Sequence, residues 1–229
     1  MHIDLLILAT GQMQFSAWNA FVDKDSTWEP DPRILGFNPA IDGWSMASFY
    51  DCSMGVTQPD LRLGKTNEIL YTPKYKRGGV GDYSWFFAKE YLKKHPNHVV
   101  GIVTHNEISE PVESWIRSES ETRRRIELFM SRVLKYTPHK KSADVILWYQ
   151  EDHENPHVAL RALKDTHGNK DTTCIVSSDP MSSVVNVDGC YTLQVQNTEE
   201  MRSVEELGVA CARAYEIISN YWKSHLGTK

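Results

Sequence analysis

The sequence predicts a three-layer α/β/α fold, a central five-stranded parallel sheet with helices on both faces, in one domain spanning 1–229. Three observations carry that prediction. Short apolar runs rich in β-branched residues alternate along the chain with longer segments of helical period. Several of those runs are apolar at successive positions, as strands covered on both faces require. The length, 229 residues, is that of one ordinary α/β domain.

The expected strands are residues 4–9, 99–103, 145–149, 173–177 and 192–195. The expected helices are 83–94, 119–136, 156–166 and 199–225. The last shows apolar residues at Val204, Leu207, Ala210, Cys211, Ala214, Ile217 and Ile218, which is helical spacing. Strands alternating with helices imply crossover connections and a parallel sheet. Residues 28–81 stand apart. They are rich in Pro, Gly, Asp and aromatics with little periodicity, and read as a long ordered loop region over one end of the sheet.

Hydrophobic residues make up 41% and charged residues 24%, so the chain has the means to build a globular core. The net charge of -5 argues against nucleic acid or an anionic membrane surface as partner. The run Arg123-Arg124-Arg125 lies inside a helical pattern and reads as a solvated face. Cys52, Cys174, Cys190 and Cys211 form no CxxC pair, so no zinc ribbon is indicated. Cys174 and Cys211 fall on apolar faces and are expected to be buried thiols. No metal and no cofactor is expected. No stretch is long enough to span a membrane. MHIDLLILAT is too short in its apolar run, and too interrupted by Asp4, for a secretory signal. A cytoplasmic setting is expected, although a processed secreted chain would look the same.

In a parallel α/β sheet, ligands bind beyond the carboxyl ends of the strands. The segments to read are therefore 10–18, 104–115, 150–155, 178–183 and 196–200. They contain ILATGQMQF (7–15), IVTHNEISEPVESW (102–115) and LWYQEDHE (147–154), joined elsewhere by Asp31-Pro32-Arg33-Ile34, Trp44-Ser45-Met46-Ala47, GVGDYSWFFA (79–88), and Leu207-Gly208 with Ala212 and Ala214. Taken in chain order, the seven elements resemble the sialate O-acetylesterase-like branch of the SGNH/GDSL hydrolases, which removes acetyl groups from carbohydrates. The resemblance runs through most of the chain and implies an SGNH hydrolase, flavodoxin-like fold.

A serine esterase needs a nucleophile, a base to take its proton, and donors aimed at the developing oxyanion. The resemblance puts the nucleophile at Met13, whose thioether cannot attack an ester. The neighbouring asparagine donor becomes Gln14, and the oxyanion glycine falls on Ile108 or Ser109, where a β-branched residue disfavours positive φ. The window for the base histidine, about Asn197, holds none. Nucleophile, oxyanion turn and base are all altered together, which implies a cleft stripped of covalent chemistry.

What remains suits sugar. Gln12, Gln14, Asn106, Glu107, Gln150, Glu151 and Asp152 supply hydrogen-bonding groups at strand ends, with His105 and His153 beside them, and Trp18 is a candidate stacking ring. Trp85, Trp115 and Trp148 read as core. Three functions fit: a non-catalytic lectin binding a glycan or small carbohydrate, an esterase with relocated groups such as Ser16 with His105 or His153, and a pseudoenzyme interaction subunit. The lectin reading is preferred, and weak single sites lead to the expectation of a homo-oligomer.

Overall fold

The computed structural model describes residues 2–11, 31–38, 43–46, 83–106, 110–150, 156–178, 191–196 and 204–226. Their elements are β1 (Leu5–Gly11), β2 (Ile34–Asn38), β3 (Gly43–Met46), α1 (Tyr83–Lys94), β4 (Val100–Asn106), a 3-10 turn (Val112–Trp115), α2 (Glu121–Tyr136), β5 (Val145–Gln150), α3 (His157–His167), β6 (Thr173–Ser178), β7 (Tyr191–Gln196) and α4 (Val204–Leu226). The strands form one sheet in the order β3-β2-β4-β1-β5-β6-β7.

All five expected strands are present, as the parallel set β4-β1-β5-β6-β7. The chain starts in the middle of this set, moves outward to β4, then crosses β1 to β5. This doubly wound order puts its switch point between β1 and β5. Two further strands extend the sheet beyond β4. β2 pairs with β4 in parallel, and β3 closes that edge antiparallel to β2. Residues 34–38 and 43–46 are therefore strand, which corrects their reading as loop. The remainder of 28–81 lies outside the described residues, apart from the turn at 31–33.

β1 and β5 are buried at every position, and their alternate residues feed two cores. Leu5, Ile7 and Ala9 face α1 and α4, where they meet Phe87, Leu207 and Cys211. Leu6 and Leu8 face the other side, with Ile126, Phe129 and Met130 of α2 and Leu160 and Leu163 of α3. Each fully buried large aliphatic contributes about 1.5–3 kcal/mol. Two layers of helices sandwich the sheet, as the sequence pattern predicts. On the first side, Gly208 lets α4 lie against the start of α1: a Cβ there would collide with the Tyr83 carbonyl oxygen. Trp85, Trp115 and Trp148 are core residues, and Cys174 and Cys211 are buried thiols, as expected. Cys52 and Cys190 lie outside the described residues. Among those residues no helix is long and apolar enough to cross a membrane.

The amino edge of the sheet is held by charged groups. Asp4 accepts the Val99 N–H at 2.8 Å, and Asp144 accepts the Leu6 N–H at 2.7 Å. Lys140 donates to Asp144 at 2.6 Å and to the Asp4 carbonyl at 2.8 Å. Nearby, His95 meets Glu216 at 2.8 Å, joining the end of α1 to α4. These contacts stop the strand starts from fraying, because each carboxylate takes up a backbone donor close to the first ladder position.

Candidate functional site

The carboxyl edge is built differently. β1 ends at Gly11, whose φ of 125° suits no L side chain, and a Cβ there would collide with the Tyr149 carbonyl oxygen. The glycine has two reasons to be glycine: its backbone angle and the close approach of β5. It also ends the strand from which the segment carrying Gln12, Met13 and Gln14 departs.

Immediately before it, Thr10 is fully buried. Its hydroxyl donates to the backbone carbonyl of His105 at 2.5 Å and accepts the Trp115 indole N–H at 2.9 Å. Thr10 and His105 are register partners across the β1–β4 pair. The Trp115 ring meets Trp148 edge-to-face, with centroids 5.0 Å apart. The Trp148 indole N–H in turn donates to Gln150 Oε1 at 2.7 Å, and the Ser177 hydroxyl donates to the Trp148 carbonyl at 3.1 Å. Neutral donors and acceptors thus tie together the ends of β1, β4, β5 and β6.

Trp115 is itself held. It closes the 3-10 turn, whose Ser114 donates to Glu110 at 2.6 Å. Ser120, the N-cap of α2, donates back to the Ser114 carbonyl, and Arg123 of α2 donates to the Ile116 carbonyl. The turn is therefore tied to the α2 N-terminus, and the indole is fixed by it.

Of the sequence-predicted site residues, the structure describes three. His105 is 2% exposed, on the α2 side of the sheet, with its ring edge-on to Phe129 at 6.0 Å. Gln150 is fully buried, with its side-chain oxygen engaged by Trp148. Asn106 is the last residue of β4 and the register partner of Gly11, so the two segments of interest leave the sheet side by side. Gln12, Met13, Gln14, Trp18, Glu107, Ile108, Ser109, Glu151, Asp152, His153 and Asn197 lie outside the described residues. Ser16, the candidate relocated nucleophile, lies there too.

Sequence reasoning misses the hydrogen-bonding role of Thr10. A threonine at the end of an apolar run is ordinary strand chemistry, and the partner that gives it a role is more than a hundred residues away. The second role of Trp115 and Trp148, as hydrogen-bond donors, is equally hidden, although a buried indole usually finds an acceptor.

The titratable groups shifted furthest sit away from this edge. Burial pushes the Cys211 thiol up, and Tyr215 is pushed up to about 12, chiefly by burial. Burial brings His167, at the end of α3, down to about 4. Among the described residues no three His, Cys, Asp or Glu side chains converge as metal ligands. A cleft of about 340 Å³ opens instead beside α1, lined by Asp31, Arg33, Trp85, Lys89, Glu90 and neighbours. Its charges are mutually paired, Arg33 with Asp31 at 2.6 Å and Lys93 with Glu90 at 2.5 Å, while Lys89 lies 4.5 Å over the Trp85 ring. It starts at the amino end of β2 and is separate from the carboxyl edge.

No family model matches the chain. No curated protein matches it either. Among solved structures, a protein of Arabidopsis thaliana superposes with a TM-score of 0.56 at 16% identity, covering 92% of this chain and 97% of its own. That likeness shows a shared fold. Two looser matches are NanS, at a TM-score of 0.45, 13% identity, 77% of this chain and 68% of its own, and a carbohydrate acetylesterase from Xanthomonas citri, at 0.46, 14%, 91% and 55%. The chain therefore shares the fold of the Arabidopsis protein.

Proposed function

We propose that the chain is a non-catalytic, lectin-like carbohydrate-binding protein that uses the carboxyl edge of the sheet. One observation carries the reading. Two residues beyond the positive-φ Gly11, where the resemblance to SGNH esterases calls for a serine nucleophile, the sequence has Met13. A thioether has no proton to lose and forms no acyl intermediate at an ester. The altered oxyanion positions Ile108 and Ser109, and the absence of histidine about Asn197, point the same way.

The chemistry that remains favours a neutral ligand. Beneath the edge, the bonds that support it are made by a hydroxyl, two indoles and an amide, all buried, with no ion pair among these bonds. Gln12, Gln14, Asn106 and Glu107 would add directional polar contacts, with Trp18 as the apolar platform for a sugar face. A single shallow sugar site binds weakly, so the reading includes a homo-oligomer that presents several sites at once.

A broad glycan array, probed with folded protein of measured oligomeric state, tests the reading. Binding to a set of related sugars, without turnover of their acetyl esters, is the expected result. An empty array from oligomeric, folded protein would overturn it. Turnover of acetyl esters would favour a relocated Ser16–His153 esterase.

A further inference from the structure

We propose that Thr10 is the positioning residue of this edge, the hydroxyl that fixes where the β1 and β4 segments leave the sheet; the inference rests on the carboxyl edge being the binding site. An indole N–H can only donate and a backbone carbonyl can only accept. The Thr10 hydroxyl stands between one of each, so its proton has a single arrangement. Trp115 Nε1 donates to Thr10 Oγ1 at 2.9 Å, and Thr10 Oγ1 donates to the His105 oxygen at 2.5 Å. Aligned bonds of this kind polarise one another, most effectively where water is excluded, and Thr10, His105 and Trp115 are all at most 2% exposed.

The topology gives this small relay its reach. His105 lies just before the segment that contains Glu107, Ile108 and Ser109, and Trp115 lies just after it, at the end of the 3-10 turn. Both anchor on the same side-chain oxygen of β1. One hydroxyl therefore staples the start and the end of the β4 segment together, and ties both to the residue before Gly11. The turn that holds Trp115 is in turn fixed to α2 through Ser120 and Arg123. Thr10, His105 and Trp115 thus share a reference point at the ends of β1 and β4, and its loss would be felt there as a loss of preorganisation.

Three variants of the full chain isolate the hydroxyl. Thr10→Val keeps the shape and removes the oxygen, Thr10→Ser keeps the oxygen, and Trp115→Phe removes the donor. Amide hydrogen exchange is read at the last residues of β1 and β4 and at their first residues, Leu5 and Val100. Thr10→Val and Trp115→Phe are expected to raise exchange at position 10 and at Gly11, His105 and Asn106 by about tenfold, the ratio for one hydrogen bond. Leu5 and Val100 stay unchanged, and Thr10→Ser stays close to the original. N-acetylglucosamine serves as a neutral acetylated probe, titrated alongside by nuclear magnetic resonance. If it binds the unmodified chain, its affinity is expected to fall at least about fivefold in Thr10→Val and recover in Thr10→Ser. Equal rises at both ends of the strands would mean general destabilisation and overturn the proposal, as would no rise at all. Local loosening rescued by serine, with no sugar bound by any protein, would support the positioning role while counting against the carbohydrate reading.

Discussion

The two ends of the sheet solve one problem with opposite chemistry. At the amino edge, strand starts are held by ionised groups: Asp4 on Val99, Asp144 on Leu6, Lys140 bridging both. At the carboxyl edge, strand ends are held by neutral ones: Thr10, Trp115, Trp148 and Gln150. The first arrangement draws on partly exposed charge and responds to salt. The second is dry and does not titrate near neutrality. Among the described residues, the bonds at the carboxyl ends of the strands therefore hold without a desolvated charge, whereas those at the amino ends depend on charged groups.

The largest effect expected from breaking this division is at Gly11. Alanine there must adopt a positive φ and push its Cβ into the Tyr149 carbonyl. Gly11→Ala is expected to lose about 3 kcal/mol or more in urea unfolding. A loss below about 1 kcal/mol, the ordinary range of a surface change, would show that the β1–β5 approach is soft.

Next comes the pH response of the amino edge. His167 is buried at the end of α3, where its backbone oxygen accepts the Ala143 N–H ahead of β5. Burial lowers its pKa from 6.5 to about 4. The unfolded chain therefore takes up a proton before the folded one, so stability is whole above pH 6.5 and falls as pH drops toward 4. The loss by about pH 5 is expected to be about 2 kcal/mol. His167→Gln should flatten that slope in unfolding curves taken from about pH 7.5 to about pH 5. An unchanged slope would assign the acid response elsewhere.

Asp144→Asn and Trp148→Phe sharpen the contrast. The first weakens a charged acceptor serving both Leu6 and Lys140; the second leaves Gln150 Oε1 without its indole donor. Each is expected to cost about 1–2 kcal/mol. Added salt should narrow the difference between Asp144→Asn and the original protein, and leave that for Trp148→Phe unchanged. The smallest effect belongs to Asp31, whose carboxyl the Arg33 guanidinium holds below its usual value. Its contribution is present at neutral pH and lost as pH falls through the folded value. Because Arg33 is well exposed, Asp31→Asn should cost below about 1 kcal/mol in urea unfolding at neutral pH.

The five parallel strands were legible in the sequence for one reason: strands buried on both faces, such as Val145–Gln150, are apolar with little interruption. β2 and β3 were not legible. ILGFN and GWSM are short, contain glycine, and sit within a segment of turn-forming residues, and β3 is an edge strand that needs no continuous apolar run. The helices were readable to within a residue or two at most of their described ends, since α2 starts at a serine cap and α4 carries an apolar stripe. Of the site, Met13 and Asn197 lie outside the described residues, so the reading of a replaced nucleophile and base there rests on the resemblance alone. The Thr10–Trp115 relay was not legible, because no local pattern connects a strand threonine to a tryptophan on a distant turn.

The most direct test of the central claim, that this edge has lost ester chemistry, is the Met13→Ser protein assayed on an activated acetyl ester. A serine at position 13 would supply a hydroxyl, the window about Asn197 holds no histidine to serve as its base, and an unassisted serine hydroxyl is a weak nucleophile. His105 is 2% exposed on the α2 side of the sheet against Phe129, and the altered oxyanion positions remain. The predicted result is turnover no faster than that of the unmodified protein. Saturable turnover by Met13→Ser that disappears when His153 is also changed to alanine would contradict the claim, because a working base would then survive at the carboxyl edge.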